Sequence, residues 1–341
     1  MCPAILSAIH NQKFITLREL NAVVRERLYA FNHKPFQKKD GSRATWFAEE
    51  RASLLPLILG PYPLFRMSSN ARYAHDIINN IMFRRFPVAG RILVHIPHSS
   101  THVPDDLLGS FSADPHTIRR NIITMTDYAV DQLFDSPVHL YRLIFPVSRL
   151  ICDVERFRND ADEIMASRGM GTVYTHGAYG EVLRPYSEDL RSSILTRYYD
   201  PHHQKLLSMV SEAIEENKLC VIVDAHSFPS SPLPTELDQG TDRPDFCIGT
   251  DECHTPLGLS ASVQDYIQSL GFSVNINKPY QGTMVPLPML GTTAPVRSIM
   301  IEVNRRLYMD EANQQLIPRF VELKDMLGAL LDTIDEWAKQ N

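Results

Sequence analysis

Short apolar runs alternate with amphipathic stretches from about residue 91 to the end of the chain. Seven apolar runs predict strands over residues 91–96, 138–144, 148–154, 219–225, 246–249, 272–276 and 298–303. Four longer stretches with apolar residues at helical spacing predict helices over residues 117–134, 187–217, 255–270 and 313–339. This alternation is typical of an α/β fold.

Several of the predicted strands are apolar at consecutive positions instead of at every second one. Strands with this pattern are buried on both faces, as in a mostly parallel sheet between two layers of helices. We therefore predict a three-layer α/β/α fold around a central, mostly parallel mixed sheet, with a short helical N-terminal extension. Ligands of such sheets bind beyond the carboxyl ends of the strands, so candidate functional residues are expected there.

Residues suited to metal-dependent hydrolysis lie at the ends of three predicted strands. His98 comes just after the first strand, His226 follows the central one, and Glu302 lies in the last one. Imidazole nitrogens bind zinc, and a nearby carboxylate is able to take a proton from water. The sequence has no compact His-Glu-x-x-His motif, so the spacing alone does not define a metal site.

Serines beside these histidines leave a nucleophilic mechanism open as an alternative. Ser99 and Ser100 follow His98, and Ser227 follows His226. The sequence lacks the Gly-x-Ser-x-Gly turn that exposes a nucleophilic serine in many hydrolases. We therefore interpret Ser227 as a group that hydrogen-bonds around the site.

Composition and charge exclude some classes of protein and distinguish residues 1–66 from the rest of the chain. The 341 residues carry a net charge of −6, yet residues 1–66 have ten basic and five acidic side chains. The longest apolar stretch, 54–65, is about half a membrane span and contains three prolines, which excludes a transmembrane helix. No signal pattern begins the chain, so we expect a cytoplasmic protein. The five cysteines form no Cys-x-x-Cys pair, which argues against a disulfide framework or a zinc finger.

The basic N-terminal segment carries a resemblance of its own. Residues 17–57 contain an Asn-x-x-Pro-Phe-Gln-Lys turn and a Gly-Ser-Arg triplet, and they resemble a piece from the C-terminal half of insertion-sequence transposases of the IstA type. The carboxylate core of those transposases lies upstream of this piece. We therefore predict a non-functional, transposase-like helical and loop extension over residues 1–66, and a catalytic domain over residues 67–341. The segment has one short basic patch and no motif of a kind that recognises nucleic acid, so we predict no nucleic-acid partner.

A second resemblance covers about residues 90–335. Its motifs are HIPHSSTHVPDDL, TDYAVDQLFD, VSRLICDVERFRND, VIVDAHSFPS, RPDFCIGT, NKPYQGTMV and IMIEVNRRLYMDE. They occur in the order found in the N-formylglutamate amidohydrolase family. The resemblance implies a fold similar to the zinc-dependent exopeptidases. It also implies metal-dependent hydrolysis of a small molecule, N-formyl-L-glutamate, to formate and L-glutamate in histidine degradation.

The same motifs imply roles for particular residues. They imply that His98, Asp127 and His226 bind a divalent metal, with zinc as the expected cation, and that Glu302 is the general base. Asp131, one helical turn after Asp127, stays open as the alternative acidic ligand.

The resemblance also indicates residues around the metal and the substrate. The substrate's two carboxylates require fixed cations, and the planar guanidinium group of arginine matches a carboxylate. The residues predicted to bind substrate are Arg149, Arg156, Arg305, Tyr280 and Gly282. The residues predicted to hydrogen-bond around the metal ligands are Asp224, Ser227 and Asn304.

Two positions depart from the family's motifs. Ser100 stands where the family has Gly in His-Ser-Gly, and Glu155 stands where it has Asn in Asp-x-Asn-Arg. The first change alters a tight turn, because Gly tolerates backbone angles that Ser does not. The second adds a carboxylate near the expected substrate. The alternatives are therefore a related deacylase acting on another N-acyl acidic amino acid and a catalytically silent metal- or ligand-binding relative.

Overall fold

The structure is a computed structural model that describes residues 91–135 and 141–341. The predicted extension over residues 1–66 and the first part of the strand predicted at 138–144 lie outside the described residues. Of the helices in the described ranges, none is long and apolar enough to cross a membrane.

Strands and helices alternate along the described chain. The strands are β1 (Ile92–Ile96), β2 (Tyr141–Ile144), β3 (Cys220–Phe228), β4 (Phe246–Gly249), β5 (Val274–Ile276), β6 (Val296–Asn304), β7 (Met309–Asp310) and β8 (Gln315–Leu316). The α-helices are α1 (Asp105–Leu108), α2 (Pro115–Met125), α3 (Val130–Leu133), α4 (Glu188–Ile194), α5 (Asp200–Asn217), α6 (Leu257–Ser269) and α7 (Arg319–Gln340).

Six strands form one sheet in the order β2-β1-β3-β6-β4-β5. Neighbouring strands are parallel except for β4 and β6, which pair antiparallel. The prediction of a mostly parallel mixed sheet is confirmed. The two long central strands β3 and β6 are buried along nearly their whole length, as their continuous apolar runs predicted.

Each face of the sheet packs against its own helices. Ile92, Val94 and Ile96 of β1 share one apolar core with residues of α3, α6 and α7. Leu93 lies on the opposite face and packs with residues of α5. Side chains alternate between the faces of a strand, so His95 belongs to the same face as Leu93. The observed architecture is therefore three-layered, as predicted.

The same alternation places polar residues of three strands on the α5 face. In β3 the odd-numbered apolar residues belong to the α6–α7 core, so Asp224 and His226 face α5. In the register of the sheet, His95 is the neighbour of Asp224, and Glu302 is the neighbour of His226. Four side chains that titrate are thus laid side by side where β3 and β6 approach their carboxyl ends.

The predicted helix at 117–134 is wrong as a single element. Helix α2 ends at Met125, and the hydroxyl of Thr126 donates to the carbonyl of Ile122 at 2.6 Å. The N–H of Asp127 donates to the carbonyl of His98 instead of to α2. Ala129, with φ of 59°, then turns the chain into α3. At Asp127, a hydrogen bond to the segment that follows β1 therefore replaces the helical hydrogen bond.

The predicted strand at 148–154 is also wrong. The N–H of Ile151 donates to the carbonyl of Ser148 at 2.9 Å, and the N–H of Asp153 donates to Thr172 at 2.8 Å. The segment is a buried turn whose apolar residues pack with α1, α4 and the helical turn that follows α4. Its apolar run reflects burial, and burial alone does not distinguish a strand from a turn.

The last helix begins later than predicted. Residues 309–316 form the short hairpin of β7 and β8, and α7 begins at Arg319. The predicted helix at 187–217 is observed as one helical run with a wider turn at Leu195–Tyr199. That turn comes just before Pro201, which has no backbone N–H to donate.

Candidate metal centre

Three buried side chains meet at the carboxyl end of the sheet. His98 Nδ1 and His226 Nδ1 are 3.3 Å apart, and Asp127 Oδ2 is 3.1 Å from His226 Nδ1 and 3.7 Å from His98 Nδ1. Each of the three residues is at most 3 % exposed. We call this set the candidate metal centre.

Three different segments supply these residues. His98 follows β1, His226 lies near the end of β3, and Asp127 lies between α2 and α3. The break after α2 brings Asp127 back to β1, because its N–H donates to the carbonyl of His98 at 2.9 Å. Asp127 is therefore in this group of ligand atoms, whereas Asp131 is not.

The spacing and chemistry of the candidate metal centre fit a divalent cation. A tetrahedral zinc with ligand bonds of about 2.0–2.1 Å holds its ligand atoms about 3.3 Å apart. The observed separations of 3.1, 3.3 and 3.7 Å lie around that value. Two imidazoles and one carboxylate are a common zinc donor set that leaves a position for another ligand. These three residues would hold the cation.

Electrostatics at the candidate metal centre also favour a cation. Burial raises the pKa of Asp127, but its hydrogen bonds to His226 and His98 outweigh burial and hold that pKa well below its usual range. Burial lowers the pKa of His226, but the charges of Glu155 and Asp224 outweigh it and raise that pKa well above its usual range. The environment therefore stabilises positive charge beside an ionised carboxylate.

Asp153 orients His98 from behind. Its Oδ1 is 2.8 Å from His98 Nε2, the nitrogen that faces away from the candidate metal centre. Its Oδ2 accepts hydrogen bonds from Tyr174 at 2.6 Å and from Arg149 at 2.7 Å, and Arg156 Nε lies 3.4 Å away. Two of the three arginines predicted to bind substrate thus lie against a buried carboxylate. A carboxylate on the far nitrogen of a metal-binding histidine fixes its ring.

Arg305, the third predicted substrate-binding arginine, contacts the candidate metal centre directly. Its Nη2 donates to Asp127 Oδ1 at 3.2 Å, its Nε donates to Ser227 at 3.3 Å, and its Nη1 donates to the carbonyl of Thr124 at 2.8 Å. Arg305 also lines a cavity of about 600 Å³. Its guanidinium group therefore connects this cavity to the candidate metal centre and also contacts Ser227.

Glu302 lies beside His226 on the neighbouring strand. Its side chain is buried, and its Oε2 has no hydrogen-bond partner. Burial raises the pKa of Glu302 to about 8, with Asp127 and Glu155 adding to the rise. A buried carboxylate without a partner costs stability unless something binds it. This geometry suits a group that exchanges a proton with a bound molecule.

A second group of ligand-type side chains lies next to the first. It consists of His95, Glu155 and Asp224, whose ligand atoms lie within 4.8 Å of one another. His95 Nδ1 is 2.8 Å from Asp224 Oδ1, and Asp224 Oδ1 is 3.3 Å from His226 Nε2. Asp224 therefore contacts both His95 and His226. We call these three residues the second group.

The remaining predicted residues contact groups other than the metal ligands. Asn304 donates from its Nδ2 to the carbonyl of Pro244 at 2.9 Å. The hydroxyl of Tyr280 accepts a hydrogen bond from Arg243 at 3.1 Å. Gly282, with φ of 87°, lines a different cavity of about 770 Å³ that contains none of the candidate ligands. In the described part of the chain, no hydrogen bond joins Asn304, Tyr280 or Gly282 to the candidate metal centre.

Sequence reasoning missed the role of Asp153 and the second group. Both involve motif residues, but the members of each pair are far apart along the chain: His98 and Asp153 are 55 positions apart, and His95 and Asp224 are 129 positions apart. The register of β1 on β3 creates the second pair. The presence of Glu155 in place of the family's Asn was the one signal in the sequence that pointed to it.

Comparison with known proteins identifies the family and the fold of this chain. The model of the N-formylglutamate amidohydrolase family matches residues 90–309. No match was found among curated proteins.

Two solved structures share the fold. The N-formylglutamate amidohydrolase from Ralstonia eutropha JMP134 has 23 % sequence identity over 73 % of this chain and 94 % of its own, with a TM-score of 0.63. A gene product of Agrobacterium tumefaciens has 19 % identity over 72 % of this chain and 92 % of its own, with a TM-score of 0.53. The family match spans more than half of the sequence. The chain therefore belongs to the N-formylglutamate amidohydrolase family and is a hydrolase of that family.

Proposed function

We propose that the chain hydrolyses the amide bond of N-formyl-L-glutamate to give formate and L-glutamate, with a divalent cation, zinc, at the candidate metal centre. The observation that carries this proposal is the convergence of His98, Asp127 and His226, with Glu302 as the strand neighbour of His226. The family match and the name of the structural relative from Ralstonia eutropha support the substrate. On this proposal the reaction belongs to histidine degradation in the cytoplasm.

In the proposed reaction, cation binding and proton transfer belong to different residues. His98, Asp127 and His226 would hold a dication, which would supply Lewis-acid chemistry at the formyl oxygen and at the attacking water. Glu302 takes a proton from the attacking water and later delivers it to the leaving amine. Burial raises the pKa of Glu302 to about 8, and a positive charge nearby would lower that pKa and favour the carboxylate form that accepts a proton.

Arg305 is the residue that we assign to substrate carboxylate binding. Its guanidinium group lines the cavity of about 600 Å³ and reaches Asp127. A carboxylate entering through this cavity therefore meets a cation before it meets the candidate metal centre. The planar fork of arginine favours such a contact.

A second candidate function is the hydrolysis of another N-acyl amino acid. The observation that favours it is the pairing of Arg149 and Arg156 with Asp153. These guanidinium groups are partly neutralised, so fewer cations remain for a substrate with two carboxylates. A panel of N-formylglutamate, N-formylaspartate and N-acetylglutamate distinguishes the two functions by their kcat/KM values.

Metal removal tests the proposed function. We expect chelation followed by dialysis to abolish formate release from N-formyl-L-glutamate, because no other group in the proposal polarises the formyl oxygen. Addition of zinc should restore the activity. Turnover that persists in protein shown to be free of metal would rule the mechanism out.

A further inference from the structure

The second group has the composition of a metal site that is separate from the candidate metal centre. It offers one imidazole and two carboxylates, all from residues outside the first set. His95 Nδ1 is 2.8 Å from Asp224 Oδ1 and 3.4 Å from Glu155 Oε1. These separations are close to the ligand spacing around a cation with bonds of about 2.0–2.2 Å.

We propose that His95, Glu155 and Asp224 bind a second divalent cation, with His226 on its other side. Nitrogen and carboxylate donors in this mixture suit zinc or manganese. The first cation site belongs to the proposed function, whereas this one goes beyond it.

An unpartnered nitrogen of His226 points to the missing cation. Its Nε2 is buried and has no hydrogen-bond partner, although it lies 3.0 Å from Glu155 Oε2 and 3.3 Å from Asp224 Oδ1. The residue is 3 % exposed, so solvent does not satisfy this atom. Glu155 Oε1 is likewise buried and without a hydrogen bond. Atoms that approach one another this closely without hydrogen bonding are arranged as ligands are arranged around a cation.

Neighbouring residues form hydrogen bonds that hold the side chains of the second group in place, as is usual for metal ligands in proteins. His95 Nε2 meets His202 Nε2 at 2.9 Å, so that the far nitrogen of the His95 ring is held. Asp224 Oδ2 accepts the N–H of Met284 at 2.9 Å. Partners of this kind fix a ligand's ring or carboxylate and leave the other atom free to bind.

His226 stands between the two sets of ligands. Its Nδ1 faces Asp127 and its Nε2 faces Glu155 and Asp224. A cation on each side leaves no ring nitrogen for a proton, so binding of the second cation releases the ring proton to solvent. The two cations would then share one imidazole.

A proton on His95 is the competing explanation for this geometry. Burial lowers the pKa of His95, but the hydrogen bond to Asp224 and the neighbouring carboxylate of Glu155 outweigh burial and raise it to about 9. A protonated His95 would bind both carboxylates without a metal. A proton on His226 would also place positive charge beside Glu155 and Asp224. Its Nε2 makes no hydrogen bond to either carboxylate, although it lies 3.0 and 3.3 Å from them, whereas a second cation would bind this nitrogen directly.

A second cation would supply charge that the proposed substrate needs, a consequence that rests on the proposed function. Two of the three nearby guanidinium groups are paired with Asp153. A dication beside the candidate metal centre would offer positive charge to a substrate with two carboxylates. Glu155, the departure from the family's Asn, would then be the residue that adds the cation.

Zinc stoichiometry tests this inference without reference to activity. The full chain is dialysed against buffered zinc, and bound zinc per chain is measured by mass spectrometry for wild type, Glu155→Gln and His98→Ala. We expect two zinc ions in wild type and one in each variant. Glu163→Gln is the matched control and should bind two, because Glu163 is a buried carboxylate of the same segment that bonds the N–H groups of Phe157 and Met165.

The outcomes separate this inference from the proposed function. One zinc in wild type that Glu155→Gln retains and His98→Ala loses would overturn the second site and leave the proposed function standing. One zinc in wild type that Glu155→Gln loses and His98→Ala retains would support the second site. It would count against a cation at the candidate metal centre. Wild type without zinc would overturn both. If Glu155→Gln fails to fold by thermal unfolding, His95→Gln replaces it with the same expected stoichiometry.

Discussion

Single carboxylates determine how the candidate metal centre is held. Asp127 points into it, whereas Asp153 holds His98 from the opposite side at 2.8 Å. Burial raises the pKa of Asp153, but the charges of Arg149 and His98 outweigh it and hold that pKa well below its usual range. An ionised carboxylate at this place fixes the ring of His98 with one nitrogen toward the cation.

Replacement of Asp153 by Asn should weaken metal binding without removing a ligand. We expect the Kd for zinc to rise by about 10–100-fold, because the ring of His98 loses its anionic partner. We also expect the free energy of unfolding to fall by about 3–5 kcal/mol, because Arg149 is left without its buried counter-ion. Zinc competition with a chromogenic chelator and urea unfolding measure the two effects.

Asp245→Asn is the matched control for this substitution. Asp245 is a partly buried carboxylate that binds Arg306 and Ser273, away from the candidate metal centre. Its replacement should leave the Kd for zinc unchanged. A wild-type Kd in Asp153→Asn would contradict the positioning role of Asp153.

The sequence predicted individual residues of the candidate site better than it predicted their pairing. His98, Asp127, His226 and Glu302 were all named from strand ends and family motifs, and they lie together. The contacts of Asp153 and Glu155 were not predicted, because each depends on how distant segments meet in space. A side chain's residue type shows what it is able to bind, whereas its partner is set by the tertiary structure.

At the scale of elements, strand alternation and register bring the site together. Side chains of β1, β3 and β6 that face α5 include His95, Asp224, His226 and Glu302, in adjacent pairs across the sheet. A shift of one residue in the register of β3 would turn its polar residues into the apolar core under α6 and α7. The long apolar runs made these strands predictable, because they are buried on both faces.

Elements whose limits depend on tertiary hydrogen bonds were predicted less well. The apolar run at 148–154 predicts a strand, but the segment is a buried turn, because turns and strands in the interior are equally apolar. Helix α2 ends where the N–H of Asp127 turns to His98, and neither sequence segment alone carries that information. The break matters for function because it delivers Asp127 to the candidate metal centre.

Gly249 at the end of β4 should not tolerate a side chain. A Cβ at this position would lie 2.2 Å from the carbonyl oxygen of Gly282 and 2.4 Å from Cε of Met300. The backbone carbonyl has to move, so we expect Gly249→Ala to lower the free energy of unfolding by about 1–3 kcal/mol. Gly109→Ala is the control with no atom within 4 Å of the added methyl. Urea unfolding compares the two, and equal stabilities would contradict the packing described at β4.

At the scale of the whole molecule, a half-buried neutral histidine links stability to pH. His203 on α5 contacts the carbonyl of Val154 through its Nε2 at 2.9 Å. Burial lowers the pKa of His203 to about 4, whereas an unfolded histidine has a pKa of about 6.5. The unfolded chain therefore binds the proton more readily. The stability due to neutral His203 is fully present above pH 6.5 and is lost as the pH falls toward 4.

His203→Gln should reduce the loss of stability in acid. The amide keeps a donor for Val154 and does not titrate. Between pH 7 and pH 5 we expect the free energy of unfolding to fall by about 1–2 kcal/mol more in wild type than in the variant. Denaturant titrations at both pH values measure this difference. His116→Gln, at an exposed position, should follow wild type, and a His203→Gln profile parallel to wild type would refute the assignment.

Glu302 is the proposed proton carrier of a metal-dependent hydrolase, and its role is the central claim to test. The most direct test measures kcat/KM for formate release from N-formyl-L-glutamate, together with zinc content, in wild type, Glu302→Gln and the exposed control Glu215→Gln. We expect Glu302→Gln to retain its zinc and to lose at least about 100-fold in kcat/KM, while Glu215→Gln behaves as wild type. Wild-type turnover by zinc-loaded Glu302→Gln would contradict the account.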